Sequence, residues 1–401
     1  MKKIIVIIMC LTFAVSGLWG GGWNNTLIGC RAIAIGGAFA GIADDSSAIF
    51  YNPAGLAFQQ NNMALSISGF NVWPTHEYSD SLGSNLQSKT NFSVPQIFFT
   101  FKASERLTLG FGAYTPYAGG GVEWNDNGLG LQLKSAMGIT SITPSLAYQI
   151  NDKISIGFNI NIYRAVIEDT RTLQNIGTIR TEENGSAFSM GFGLMFKPNE
   201  KLGIGLGVRG PAKMQLSGKT TVPLEIPELG SFEANLSSET QFNLPWDFSM
   251  GFSYKLSEKF LFSTSVQYTM WSALDNIEKT LKNIPTEGDQ KTIEPMNFKN
   301  ILLWSVGTEY WVTPVFALRG GIAMDRWATP EETLDFTNID VDKFTFLGGI
   351  GYRAGRIQID FVYAYAIGKE REKMDVVLGF PVTEKYNLNT MILGIGITYA
   401  Y

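Results

Sequence analysis

Few residues in this 401-residue chain have types and spacing suited to covalent or metal chemistry. His76 is the only histidine, and it has no recognisable serine partner for nucleophilic catalysis. Cys10 and Cys30 are the only cysteines, so the His/Cys clusters that hold metal ions are missing. No glycine-rich turn follows a strand pattern and opens a helix, which removes the usual phosphate cradle. No catalytic residue, metal or cofactor is expected. The chemistry left is that of isolated charges inside apolar, alternating runs: Arg209, Asp247, Glu309, Arg319 and Asp360. Alternation turns all five toward an enclosed interior, where an unpaired charge is costly, so they should pair with one another or with a neighbouring segment. Direct binding of a ligand carboxylate by Arg209 or Arg319 is the alternative.

The elements that carry these charges are strands. From residue 62 onward, runs of about 10 to 16 residues alternate in character, a period of two that puts successive side chains on opposite faces. In the last run Met391, Leu393, Ile395, Ile397 and Tyr399 share one side, and Gly394, Gly396, Thr398 and Ala400 the other. Ile357, Ile359, Phe361, Tyr363 and Tyr365 likewise oppose Gln358, Asp360 and Ala364, and Trp246, Phe248, Met250, Phe252 and Tyr254 oppose Asp247, Ser249, Gly251 and Ser253. Six short connections, near 102–105, 151–153, 198–201, 257–259, 313–314 and 353–356, alternate with seven long ones. The long ones cover roughly 74–92, 118–136, 167–185, 213–239, 273–298, 325–342 and 369–385. Thirteen connections imply about fourteen strands, and short turns on one side with long loops on the other mark a transmembrane β-barrel. A run of about 12 residues, tilted by about 40°, rises about 30 Å, enough for the hydrocarbon core. A soluble sandwich would use shorter strands with a mainly aliphatic inner face.

Composition agrees. Charged residues make up only 17%, against about 25% in a typical soluble domain, while aromatics reach 13% and glycines number 43. A net charge of −5 argues against a nucleic-acid partner. Lys2 and Lys3, the apolar run from Ile4 to Val15 and the small residues Ser16, Gly17 and Gly20 form a secretory signal over 1–20. That apolar run is shorter than the roughly 20 residues a spanning helix needs. The mature chain then divides into a non-alternating segment, 21–61, and an all-β barrel, 62–401. The expected destination is the bacterial outer membrane, with the lipid bilayer as solvent, the barrel-assembly machinery as a partner in biogenesis, and a monomeric state.

A fourteen-strand lumen is wider than side chains alone can fill, because about eight strands already suffice for a filled core. The segment before the first strand contains Arg31-Ala32, Gly36-Gly37-Ala38-Phe39, Ala43-Asp44-Asp45-Ser46-Ser47-Ala48 and Tyr51-Asn52-Pro53-Ala54-Gly55-Leu56. This block resembles the N-terminal hatch of the FadL family of outer-membrane fatty-acid and hydrocarbon transporters, which includes the toluene-uptake proteins. Phe111-Gly112-Ala113-Tyr114-Thr115-Pro116-Tyr117 is similar to the family's third strand, and Tyr268-Thr269-Met270-Trp271-Ser272 to the end of a later one. The resemblance implies fourteen antiparallel strands plugged by a hatch, and passive movement of a hydrophobic small molecule that leaves sideways at a kinked third strand.

Each candidate residue also has a plainer role. Gly110 and Gly112 mark the kink of a lateral opening, or make room inside the lumen. Asn52, Pro53 and Ala54 form a compact turn that fixes the hatch to the wall. Arg31, Asp44 and Asp45 are the hatch's partners for the lumen charges. Phe70, Trp73 and Trp124 form an apolar intake surface, or belong to the interfacial aromatic belt. Leu274, Ile277 and Leu281, at helical spacing, would give loop five a short amphipathic helix over the mouth. Against the uptake reading stand a general water-filled porin and a structural or adhesive surface barrel.

Overall fold

The computed structural model describes residues 21–401 except 126–130, 174–176, 227–229, 285–287, 336–337 and 378. The expected signal peptide, 1–20, lies outside the described residues. Twenty hydrogen-bonded segments join into fourteen staves. These are β1 (Met63–Asp80), β2 (Asn85–Lys89 with Phe92–Lys102), β3 (Leu107–Trp124), β4 (Leu131–Asn151), β5 (Ile154–Leu173), β6 (Gly177–Phe196) and β7 (Leu202–Arg209 with Ala212–Ile226). The second half comprises β8 (Gly230–Leu244 with Asp247–Ser257), β9 (Phe260–Thr269 with Asn276–Ile284), β10 (Gly288–Pro295 with Ile301–Thr313), β11 (Phe316–Asp325), β12 (Lys343–Ala354), β13 (Ile357–Gly368 with Arg371–Val377) and β14 (Phe380–Ala400). Sequential staves pair antiparallel, and β14 closes on β1 from Ala64↔Ala400 to Asp80↔Glu384. Closure leaves no free sheet edge at the ends of the chain.

The two faces follow the alternation. Leu393, Ile395 and Ile397 of β14 are exposed, whereas Ile392, Gly394 and Gly396 are buried inside. The short turns close through local side-chain caps: Asn151 Oδ1 accepts from the Lys153 and Ile154 amides, and Asn199 Oδ1 from those of Lys201 and Leu202. Such self-contained caps explain why these turns were readable as sequence.

The long connections differ from expectation. Most of 74–92, 167–185, 213–239, 273–298 and 369–385 is strand, because the staves continue as hairpins beyond the membrane. There the outer face meets water in place of lipid while the inner face stays buried, so the outward apolar signal stops although the pairing goes on. Cross-strand pairs such as Lys291–Glu278 at 2.9 Å replace it. His76, expected in a loop, is fully buried on the inner face of β1. The helix expected in loop five is absent: after a short 3₁₀ turn at Trp271–Ala273, Asn276–Ile284 is strand. Ile277, Lys279 and Leu281 share its inner face, so a spacing of four there is two strand periods.

The segment before β1 runs through the lumen as α1 (Cys30–Ala34), α2 (Ala48–Tyr51) and a 3₁₀ turn at Pro53–Phe58. Ile28, Ile35, Phe39, Ile49 and Leu56 are buried in it. Its backbone passes so close to the wall that a Cβ on Gly205 would strike the Ala40 carbonyl. Gly205→Val should therefore lift the segment off the wall at a cost of about 1–3 kcal/mol. Heat-modifiable migration of the barrel should persist while trypsin gains access to Arg31; protection of Arg31 equal to that of the parent protein would refute this packing.

Candidate functional site

The largest charge cluster ties the N-terminal segment to β10, β11 and β13. Arg31 donates to both carboxylate oxygens of Glu309, at 2.8 and 3.0 Å, and to Asp44 at 2.6 Å, with Asp45 3.5 Å away. Glu309 also accepts from Arg319 Nε at 2.7 Å, and Arg319 reaches Asp360 at 2.7 Å. Register puts Glu309 opposite Arg319, but Asp360 lies two staves away, across β12. The reach works because Gly351 stands between them: a Cβ there would meet the Arg319 guanidinium. This cluster forms the floor of a cavity of about 760 Å³ bordered by the short turns, with Lys255, Lys259, Arg353 and Arg356 among its walls.

The other two lumen charges stand apart. Arg209 and Asp247 face each other across β7 and β8, 3.6 Å apart, and neither contacts Arg31, Asp44 or Asp45 through a described ion pair. Arg209 lies over the Phe50 ring at 4.7 Å and the Tyr117 ring at 5.4 Å, beside a small cavity that also touches Tyr114, Asn161 and Ser249. It is a buried cation among rings.

Asn52, Pro53 and Ala54 meet the wall directly. Asn52 Nδ2 donates to the carbonyls of Ala40 and Leu194, at 3.2 and 3.1 Å, while its Oδ1 accepts from the Ala54 amide at 3.2 Å. Pro53 starts the 3₁₀ turn, where its missing amide costs nothing, and the Ala54 carbonyl accepts from Ser155 Oγ at 2.7 Å.

The third strand departs from expectation in position. Gly110 and Gly112 lie in the regular ladder, where β3 is paired to β2 from Lys102↔Thr108 to Ile97↔Ala113. Cβ atoms there would press on Ile49 and Leu56, and on Phe98 and Tyr114, so these glycines make room for lumen side chains. The irregularity begins further on, with register shifts between Tyr114 and Tyr117 and between Gly120 and Val122, and with Gly121 at φ 63°. Above Ala113 the strand ladder between β2 and β3 stops, and β2 returns only through side chains further up, with Ser88 Oγ accepting from the Glu123 amide at 3.0 Å and Thr90 Oγ1 donating to the Gly121 carbonyl. The N-terminal segment fills the interval: Asn24 forms an antiparallel bridge with Tyr117. The Asn25 amide donates to the Pro116 carbonyl at 2.9 Å, and the Ala118 amide to the Trp23 carbonyl at 3.0 Å. On the β2 side Gln96 holds the Leu27 carbonyl and the Gly29 amide, at 2.8 and 2.9 Å. A lateral gap between β2 and β3 is thus sealed by residues 23–29.

Above the seal lies an aromatic cluster. Trp23 meets Phe242, Trp271 and Phe298 edge-on at 5.2, 5.9 and 5.9 Å, and Tyr117 meets Tyr163 and Trp271 at 6.0 Å. Met137, Ile139, Met214 and Leu274 extend it. The expected intake surface is dispersed: Phe70 is buried with Leu27, Ile33 and Val94 near the seal, Trp124 is buried at the mouth, and Trp73 is half-buried on the lipid side of β1. Trp23 and the Trp271 contacts were not foreseen, because neither residue sits in an alternating run.

A closed fourteen-strand antiparallel barrel with an apolar outer surface defines an outer-membrane β-barrel protein. The chain matches the family described as outer membrane protein transport protein (OMPP1/FadL/TodX) over residues 24–401, and it belongs to that family. It is similar to a putative outer membrane protein of Neisseria meningitidis serogroup B, 24% identical with 90% of this chain and 89% of the relative covered. It is also similar to the long-chain fatty acid transport protein of Escherichia coli, 22% identical with 84% and 85% covered. Among solved structures, a Pseudomonas aeruginosa FadL homologue superposes with TM-score 0.77 at 17% identity, covering 96% of this chain and 98% of that one. The Ralstonia pickettii toluene transporter TbuX gives 0.71 at 17%, covering 93% and 98%.

Glu309→Gln should cost about 1–3 kcal/mol, because it removes the carboxylate that Arg31 and Arg319 share while Asp44 and Asp360 still face them. Urea unfolding in detergent measures this, and replacing the buried set together, Glu309→Met with Arg319→Met and Asp360→Asn, should recover much of the loss because no charge is left without its partner; a triple variant as unstable as the single one would rule out charge pairing as the cause.

Proposed function

We propose that this protein is a passive conduit for hydrophobic small molecules, long-chain fatty acids or aromatic hydrocarbons, which leave sideways between β2 and β3. The observation that carries the reading is the β2–β3 gap, closed by a short segment that is not a barrel strand and capped by a cluster of rings. Two backbone hydrogen bonds to β3, the Gln96 side chain on β2, and the Asn25 and Asn24 side chains on Thr115 and Thr269 form a closure that is local to residues 23–29 and can open without unfolding the barrel. A hydrophobe gains about 25 cal/mol per Å² on leaving water, so apolar walls draw it in without an energy source. The relatives described as transporting fatty acids and toluene support the same classes here, and the filled lumen favours this reading over a general porin. In this scheme residues 21–61 act as the hatch, and the Arg31–Glu309–Arg319–Asp360 cluster latches it in place. Arg209, beside the rings, is suited to a ligand carboxylate.

Two measurements test this. In a Cys30→Ser background, Asn24→Cys with Tyr117→Cys should form a disulfide, since directly opposed residues of a non-hydrogen-bonded pair have the required spacing. Cross-linking should cut uptake of labelled oleate and toluene at least tenfold, with recovery on reduction; full uptake by cross-linked protein would sink the lateral exit. Separately, Arg209→Met should lower oleate uptake several-fold and spare toluene, and equal effects on both would remove the carboxylate role.

A further inference from the structure

The outer wall of β10–β13 changes character abruptly at the end away from the short turns. Register sets Trp304 opposite Met324, Met324 opposite Phe344 and Phe344 opposite Ile367, so these four exposed side chains close the lipid-facing surface at one level. One pleat further out, about 5 Å higher for a strand tilted by about 40°, Arg326 and Lys369 are exposed with Asp342 between them. The Lys369 amide donates to the Asp342 carbonyl at 2.8 Å. Lys299, whose amide donates to the Ala328 carbonyl at 2.8 Å, is exposed on the other side of Arg326. Past Lys369 the same level continues round the wall with Asn387 and Glu77, without a cation.

These cations are poorly matched within the protein. Arg326 meets Asp342 at 3.4 Å yet keeps its side chain 65% exposed. Glu370 is engaged by Lys385 at 3.2 Å, and Lys299 and Lys369 form no ion pair among the described residues. Lys299 is nevertheless held in place. Its Nζ lies 4.9 Å from the centre of the Trp327 ring, and the Arg371 guanidinium lies 4.2 Å from the same ring. Arg371 is itself fixed by the Thr329 and Asp340 carbonyls at 3.0 and 2.7 Å, and the Trp327 amide by Asp342 at 3.1 Å. At this depth a lysine stem covers apolar wall while its ammonium reaches the polar layer, where lipid phosphates lie.

We propose that Lys299, Arg326 and Lys369 form a binding site for a phosphorylated glycolipid of the outer leaflet, with its acyl chains along Trp304, Met324, Phe344 and Ile367. Spacing favours a headgroup with two phosphates. Staves lie about 4.8 Å apart, which separates Lys299 on β10 from Lys369 beyond β13 by about 14 Å at the backbone. One free phosphate cannot bridge that distance, whereas two phosphates on one sugar backbone can meet both ends, with Arg326 between them. Charge-assisted bonds to phosphate give such a site its strength, and the apolar level below adds contact that a soluble anion lacks.

Native mass spectrometry of the whole mature protein in detergent tests this, with diphosphoryl lipid A as probe and monophosphoryl lipid A and inorganic phosphate as parallel arms. The parent protein should retain diphosphoryl lipid A and bind the monophosphoryl form several-fold more weakly, and millimolar phosphate should displace neither. Lys299→Gln with Arg326→Gln and Lys369→Gln should weaken retention at least tenfold. Lys299→Gln with Lys369→Gln, which keeps the Arg326–Asp342 pair, should still lose several-fold, and Lys299→Arg with Lys369→Arg should bind as the parent does. Removing three exposed cations from another wall, Lys134→Gln with Arg164→Gln and Lys219→Gln, should change retention less than about twofold. Heat-modifiable migration checks that each variant is a closed barrel. Equal retention by the parent and both glutamine variants overturns the site, as does an equal loss in the Lys134→Gln/Arg164→Gln/Lys219→Gln protein. Displacement by inorganic phosphate overturns the lipid as the ligand.

Discussion

Hydrocarbon offers no hydrogen bonds, so each backbone amide and carbonyl at membrane depth must find a partner within the protein. Closure of β14 on β1 meets this demand around nearly the whole barrel. One exception is β3 from Tyr114 to Gly120, where the ladder to β2 stops before side chains of Ser88 and Thr90 take it up again. Residues 23–25 answer that edge with Asn25 and Trp23 backbone groups, so the same atoms that satisfy the wall also seal it. A break in a lipid-facing sheet persists only with such a substitute, and a substitute held by few bonds is the part of the wall with the lowest cost of opening.

The width of the lumen sets the second constraint. A backbone-bearing segment must fill it, and the inner face must be low enough to admit one. Gly205 lies beneath the Ala40 carbonyl, and Gly351 lets Arg319 reach across a whole stave to Asp360. The charges follow from the same crowding. Arg31 and Arg319 share Glu309 where solvation is incomplete, and each remaining carboxylate in the cluster has a cation beside it. Such clusters contribute little net stability compared with apolar packing, but they penalise misplacement heavily. That suits a segment that must sit in one position inside a barrel whose wall is set by its own ladder.

Much of the barrel was legible because its signals are local and periodic. The lipid face of β14, the short turns capped by Asn151 and Asn199, and the inward direction of Arg209, Asp247, Glu309, Arg319 and Asp360 each follow from a period of two or from a single turn. What was hidden depends on contacts distant in sequence. The hairpins above the membrane lost their outward apolar signal because water replaces lipid on the outer face, although pairing and inner burial continue. Gly110 and Gly112 fitted both a kink and ordinary lumen packing by sequence, because strand glycines serve either, and their surroundings favour the second: they accommodate Ile49, Leu56 and Phe98. The real irregularity, around Pro116 and Gly121, depends on which neighbour β3 lacks, and no local pattern encodes that. Arg209 and Asp247 pair with one another, one of the two arrangements that alternation left open, and the register that decides it also sets Arg209 against Phe50 and Tyr117, which no local pattern shows.

A conduit for hydrophobes faces an opposite risk to that of a conduit for ions, since an apolar site that binds well also retains. The arrangement here divides the apolar surface into separate clusters, at the mouth, around Trp23 and Trp271, and beside Phe70 and Val94, rather than one deep pocket. Each is filled by the protein's own side chains, so a ligand exchanges with existing contacts and gains only the difference. Edge-to-face rings suit this exchange, because they can part and re-pack without leaving a polar group unsatisfied. The last cluster borders the β2–β3 gap, where Phe92 and Val94 lie on the β2 side of the seal. Under the proposed lateral exit the bilayer is the next apolar phase from there, and a small difference in free energy between a ring cluster and lipid tails would let concentration alone set the direction of flow.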